Sequence, residues 1–258
     1  MSLAASSSIQ LLGVYPPLQL LLFIFSGTFL AYRFAAWKIY LQVKPLRIGF
    51  QERPGIVAFL IPFILTIIPL LSLHSRAIFW ALGIALFSSL YFLQWGQKGA
   101  LKNGLRSVPL LKNVLLAGAW SVTTVWFPCY EQGWSSGTWY LFITRFIFIL
   151  AICFGVDLRD LDTDRSQQLK TLPVLFGYRA IKIICLILFA LFIALVFLKP
   201  ADVLIPFRNP EQKTALVVSC VITSIALILL KRNDSTLKYT LLLDGSMLLQ
   251  ALMIIAVA

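Results

Sequence analysis

The sequence predicts an all-α fold: a polytopic membrane bundle of about eight transmembrane helices. Three observations lead there. The 258 residues are 60% hydrophobic and only 12% charged, and a water-soluble globule of that composition would carry more apolar surface than it could hide. The apolar residues also come in continuous runs of roughly 20, the length needed to cross a hydrocarbon core of about 30 Å. The runs do not alternate, and they are about twice the length of a barrel strand, which argues against β structure.

The spans are expected in this order: Pro16 to Trp37, Ile56 to Leu73, Ala77 to Trp95, Pro109 to Pro128, Thr138 to Val156, Tyr178 to Leu198, Lys213 to Leu230 and Tyr239 to Ala258. The leading MSLAASSSIQ lacks the basic region of a secretory signal and is followed by a long span that begins Pro16-Pro17. It reads as a retained helix rather than a cleaved peptide. No linker-like stretch or change of composition divides the chain, so residues 1–258 form one membrane domain. Cys129, Cys153, Cys185 and Cys220 lie in or beside apolar spans without metal-site spacing and are read as small buried hydrophobes.

Charge gives the orientation. Of 22 Lys and Arg, seventeen fall on the loops after the first, third, fifth and seventh spans or on the span ends beside them, four on the opposite side, and Arg145 deep within a span. By the positive-inside rule the basic face is cytoplasmic and both termini lie outside. The net charge of +12 is thereby a topology signal and no argument for nucleic-acid binding, although it makes one face attractive to anionic lipid or phosphate.

Against this background four of the ten acidic residues crowd into VDLRDLDTD, Val156 to Asp164, where the fifth span meets the cytoplasmic interface. Asp157, Asp160 and Asp164 stand at i, i+3 and i+7. A helix continuing through them would put all three on one face and point Asp162 away. Like charges on one face need neutralising, and oxygen-only donors suit Mg²⁺, which also recruits substrate phosphates. Arg165 and Lys170 follow at once as phosphate partners. The same pattern also describes a solvated, charge-balanced loop, and spacing does not separate the two.

The run DLRDLDTDR…KTLPVLFG resembles the second aspartate-rich motif of the UbiA-type intramembrane prenyltransferases, D-x-x-D-x-x-x-D followed by a basic residue and a T-L-P-V-like segment. TRFIFILAICFGVDLRD resembles the helix that delivers this motif, and LRSVPLLKNVLLAGAW the preceding loop and span of a bacterial subgroup. The resemblance implies a helical bundle around a lipid-open cavity, in the bacterial inner membrane. It implies transfer of an isoprenoid from its diphosphate to an aromatic or other lipophilic acceptor. Mg²⁺ on Asp157, Asp160 and Asp164 would stabilise the leaving diphosphate, helped by Arg165, Lys170, Lys102 and Arg106.

The family's first motif, N-x-x-x-D-x-x-x-D, is missing. The matching register, in TFLAYRFAAWKIYL, holds Arg33, Trp37 and Leu41, and Glu52 is the only acid between Met1 and His74. The chain thus resembles a member without the family's first span, its own first span standing in for the second. One reading is a prenyltransferase in which Arg33 binds diphosphate in place of lost metal. Another is a noncatalytic relative whose acidic mouth binds lipid phosphate or a partner. A transporter is a third class, but neither internal repeats nor paired intramembrane charges support it. Of the remaining charged residues, Arg145 stands about 18 Å along the helix from Asp157 and is expected to pair inside the bundle. Asp244 is a lone acid in the last span, and His74 sits in an outer turn.

Overall fold

The computed structural model describes residues 2–13, 15–43, 57–72, 78–79, 81–83, 108, 110–129, 135–166, 169–198 and 209–257. Among them are helices and turns and no strands. In chain order the helices are α1 (Ser2–Leu12), α2 (Leu18–Val43), α3 (Val57–Leu71), α4 (Leu111–Ser121), α5 (Ser136–Asp157), α6 (Leu161–Ser166), α7 (Leu172–Phe176), α8 (Tyr178–Phe197), α9 (Pro210–Leu229) and α10 (Thr236–Ala256). Four of them, α5, α8, α9 and α10, are long and apolar enough to cross a membrane. The chain is an all-α integral membrane protein. Most of the third expected span and its flanking loops lie outside the described residues.

MSLAASSSIQ is helical, as expected: α1 is a separate element, ended at Gly13, whose φ of +70° suits a residue without a Cβ. Pro16 and Pro17 then precede α2, a position where their missing N–H groups cost nothing. The Ser/Ala composition reads as neutral by hydropathy, yet Ala4, Ser6, Ser7 and Ser8 are almost fully buried. Small residues let helices approach closely in lipid, where packing and polar contacts hold a bundle together in place of a hydrophobic driving force.

Neighbour contacts run from α4 to α5, α5 to α8, α8 to α9, α9 to α10 and α10 to α1, while α2 packs on α3. A second contact of α1, with the wide π-type turn Val122–Trp126 that continues α4, closes this succession. The larger apolar core, with Phe148, Ile152, Phe189, Phe192 and Leu227, joins α5, α8, α9 and α10. A smaller one, with Ala4, Leu20, Ile24 and Phe127, joins α1 and α2 to the end of α4.

Specific contacts fix both ends of α5. Its start is set by Ser135, whose Oγ accepts the Thr138 N–H at 3.1 Å. Near its other end Gly155 packs against α9 and α10. A Cβ there would meet Leu243 Cδ1 at 2.9 Å and Leu227 Cδ1 at 3.4 Å. Replacing Gly155 with leucine is expected to force α5 away from α10. The milder Gly155→Ala meets only the far ends of two leucine side chains and regains about 1 kcal/mol of helix propensity, so it should lower the unfolding temperature in detergent far less than Gly155→Leu. An unchanged midpoint for Gly155→Leu would contradict this packing.

Arg145, deep in α5, pairs inside the bundle as expected. Its Nη1 donates to Gln250 Oε1 at 2.7 Å, and its Nη2 to Ser6 Oγ and Ser7 Oγ, both at 3.2 Å, and to Gln10 Oε1 at 3.4 Å. Gln250 Nε2 extends the network to Ser219 Oγ at 3.5 Å. One guanidinium thereby ties together α1, α5, α9 and α10.

Candidate functional site

At the end of α5 the helix stops at Asp157, and Leu158–Asp160 form a tight turn. Leu158, Arg159 and Asp160 N–H groups bond back three residues, to Gly155, Val156 and Asp157 carbonyls at 3.2, 3.0 and 3.2 Å. Only with Asp164 N–H to Asp160 O, at 2.8 Å, does the α pattern resume in α6. The expectation of a single continuous helix face through Asp157, Asp160 and Asp164 is corrected by this break. The reason is local: three-residue bonds wind the chain more tightly than the 100° per residue that the spacing assumes.

The carboxylates consequently do different work. Asp157 is 4% exposed. Its Oδ1 accepts Lys112 Nζ at 2.5 Å and its Oδ2 accepts Asn113 Nδ2 at 2.8 Å, both from the start of α4. Asp160 forms a two-pronged pair with Arg159, from Nε at 2.8 Å and Nη2 at 3.0 Å. That bond lifts the already high Arg159 pKa. Asp162 is exposed, faces elsewhere as expected, and pairs with Arg232, which holds its carboxyl below the usual carboxylate range.

Asp164 differs again. It is buried, and burial raises its pKa, with the neighbouring Thr171 hydroxyl and the Lys112 charge acting in the opposite direction. Although Thr171 stands beside it, neither Asp164 Oδ2 nor Thr171 Oγ1 makes a hydrogen bond of normal geometry, and Asn113 Oδ1 has no partner either.

Lys112, Asn113, Asp157, Lys170 and Thr171 line a small half-open pocket at this end of the bundle. Lys170 is exposed at its rim, and Arg165 is exposed on α6. Arg33 lies half-buried on α2 and, among the described residues, makes no ion pair with the site. The side chains of Trp37 and Leu41 lie outside the described residues, as do Lys102, Arg106 and His74. Asp244 ends the π-type turn Thr240–Asp244 of α10, within charge range of Arg159, whose Nη1 also reaches Thr240 Oγ1 at 3.4 Å. Wide turns of this kind recur near functional sites.

As a shared three-carboxylate ligand face for Mg²⁺, Asp157, Asp160 and Asp164 do not fit in this arrangement. Asp157 and Asp160 are already engaged by the chain's own cations, and among the described residues no three His, Cys, Asp or Glu side chains come close enough to hold one ion. From the sequence, Lys112 counts only as part of the basic face, and Asn113 and Thr171 do not stand out. A signal was nonetheless present: LKN opens the span that packs on the motif-bearing helix, and KT comes six residues after the motif's last aspartate.

No known protein-family profile matches the chain, and no curated protein matches it. Among solved structures it is similar to a UbiA homolog from Archaeoglobus fulgidus bound to GPP and Mg²⁺, with a TM-score of 0.63 and 14% identity over 98% of this chain and 91% of that one. The chain shares the polytopic helical fold of that UbiA homolog.

Proposed function

We propose that this chain binds an isoprenoid diphosphate at the Lys112–Lys170 pocket and transfers its prenyl group to a lipophilic acceptor. The observation that carries the reading is the pocket itself: two ammonium groups beside a buried carboxylate, at the mouth of an apolar bundle. The shared fold supports it, as does the GPP bound by the archaeal UbiA homolog. In this reading the mouth faces the cytoplasm, the side of the seventeen basic residues.

The chemistry rests on charge and dryness. The bond between prenyl C1 and the bridging oxygen breaks with its electron pair leaving on diphosphate. Lys112 and Lys170 stabilise that anion, and Asp157, itself held by Asn113, holds Lys112 in position. Apolar walls keep water from the allylic cation until the acceptor attacks it and releases a proton. Lys102, Arg106 and Arg165 are proposed as further phosphate contacts, and Arg33 as a cation at the place of the missing first motif.

Release of inorganic diphosphate from geranylgeranyl diphosphate, by purified protein supplied with a lipid extract, tests the transfer. Product release above the rate of a Lys112→Met variant is the expected result. A second reading, a noncatalytic binder of lipid phosphate, draws on the pairing of Asp157 and Asp160 with the chain's own cations. Saturable binding without turnover would select it.

A further inference from the structure

We propose that the bundle holds a small monovalent anion of chloride size against Arg145, between α5 and α1, at a site separate from the pocket at the mouth. Charge leads to it. Arg145 is 2% exposed, and a guanidinium does not give up its proton in a protein. Its hydrogen-bond partners, Gln250, Ser6, Ser7 and Gln10, are all neutral. Among the described residues no carboxylate lies within ion-pair distance of it or acts on it through space. A buried charge without a counter-ion is costly, and the chain supplies none here.

The unmatched atoms show where the anion goes. Nε and Nη2 share one edge of the planar guanidinium, the edge that can hold an anion on two parallel N–H groups. Nη1, on the far side, is bound tightly to Gln250 Oε1 at 2.7 Å. The shared edge is looser. Nε has no hydrogen-bond partner, and Nη2 spreads its hydrogens over three acceptors on α1 at 3.2, 3.2 and 3.4 Å, all longer than the common length of about 2.9 Å. The 3.4 Å contact brings the Gln10 amide to this edge, and the Nε2 of that amide is buried without an acceptor of its own. Gln10 is itself 4% exposed. Two buried donors thus meet beside an uncompensated positive charge.

Donor chemistry selects the occupant. A guanidinium edge and an amide NH₂ group require an acceptor, and a cation would be repelled. A water oxygen would satisfy the hydrogen bonds and leave the charge, whereas a small anion satisfies both. The Ser6 and Ser7 hydroxyls donate their own hydrogens to Leu3 O at 2.9 and 3.0 Å, so Arg145 and Gln10 are the donors left to bind it. Enclosure of both side chains among α1, α5 and α10 favours an ion of chloride size over a lipid headgroup. Because Gln10 belongs to α1, the ion fastens α1 to α5. The site stands about 18 Å along α5 from Asp157, so the inference goes beyond the proposed transfer, and a failure to bind prenyl diphosphate leaves it standing.

The probe is chloride, exchanged for gluconate at constant ionic strength, with purified protein in a nonionic detergent. The unfolding temperature is expected to rise by about 3–5 °C along a saturating curve in chloride, to rise similarly in bromide and to stay level in gluconate. Surface counter-ions on a chain of net charge +12 are separated by Gln10→Glu, which leaves the surface unchanged and places a carboxylate beside the guanidinium. Its unfolding temperature should no longer depend on chloride. Gln10→Met removes one donor without adding charge and should raise the half-saturating chloride concentration about tenfold, which keeps the test decisive if Gln10→Glu does not fold. Broadening of the chloride NMR line by the parent protein, saturable and relieved by bromide, reads the same ion directly. Equal unfolding temperatures in chloride and gluconate, the result for a buried water only, overturn the proposal. So does a chloride effect that both Gln10 variants leave unchanged, the result for surface counter-ions only.

Discussion

Replacing Lys112 with alanine is expected to weaken binding of a prenyl diphosphate by about tenfold or more and to lower the stability of the unliganded protein at once. Two separate effects are involved. Lys112 is the better enclosed of the two ammonium groups at the pocket, 15% exposed at its side chain, so its attraction for phosphate is little screened by water. It also neutralises Asp157, whose side chain is 6% exposed. Removing one partner of a largely buried pair leaves the other uncompensated, at a cost of about 3 kcal/mol. The two effects can be pulled apart. The double variant Lys112→Met with Asp157→Asn removes both charges and should regain most of the stability while remaining unable to bind diphosphate. If Lys112→Ala loses stability but keeps its affinity, the lysine is only a structural counter-ion, and the pocket is not the phosphate site.

The second large effect is expected at Arg145. Arg145→Ala should destabilise the bundle by about 3 kcal/mol or more, since it leaves a void, takes the donor from Gln250 Oε1 and Gln10 Oε1, and leaves the Ser6 and Ser7 hydroxyls only their bonds to Leu3 O. A lysine is a single point charge and cannot reproduce donation from two nitrogens toward two different helices, so Arg145→Lys should recover only part of the loss. Thermal unfolding in detergent measures both. The stronger test is local. With α1 held to α5 through this guanidinium, a cysteine placed at buried Ser8 should become accessible to a thiol reagent in Arg145→Ala and stay protected in the parent protein. Protection in both would show that apolar packing alone keeps α1 in place.

Much of the fold was legible because membrane spans announce themselves by length. The expected span from Tyr178 to Leu198 and the observed helix Tyr178–Phe197 differ by one residue, and Thr138 to Val156 became Ser136–Asp157. What escaped was the burial of α1 in the bundle, since its seam of serines carries no hydropathy signal and is explained only by the arginine it meets more than 130 residues later in the chain. The site was legible in its position and less so in its wiring. Four aspartates at a membrane interface marked the place, but the end of α5 has no proline or capping glycine after Asp157 to betray it. The pairing of Asp157 with Lys112 is a contact over 45 positions that no local spacing contains. Arg145 was the opposite case: a charge within a span has few options, to pair inside the bundle or to snorkel, and it pairs.

Whether the pocket binds phosphate is decided by equilibrium binding of geranylgeranyl diphosphate, compared with geranylgeraniol of the same chain length. The two share every apolar contact and differ only in the phosphates. The diphosphate is expected to bind to purified protein at least about tenfold more tightly than the alcohol, the equivalent of about 1.4 kcal/mol, and Lys112→Met to erase that difference while the affinity for the alcohol stays unchanged. Equal affinity of the parent protein for both compounds, or a preference for the diphosphate that survives Lys112→Met, would contradict a phosphate site at Lys112.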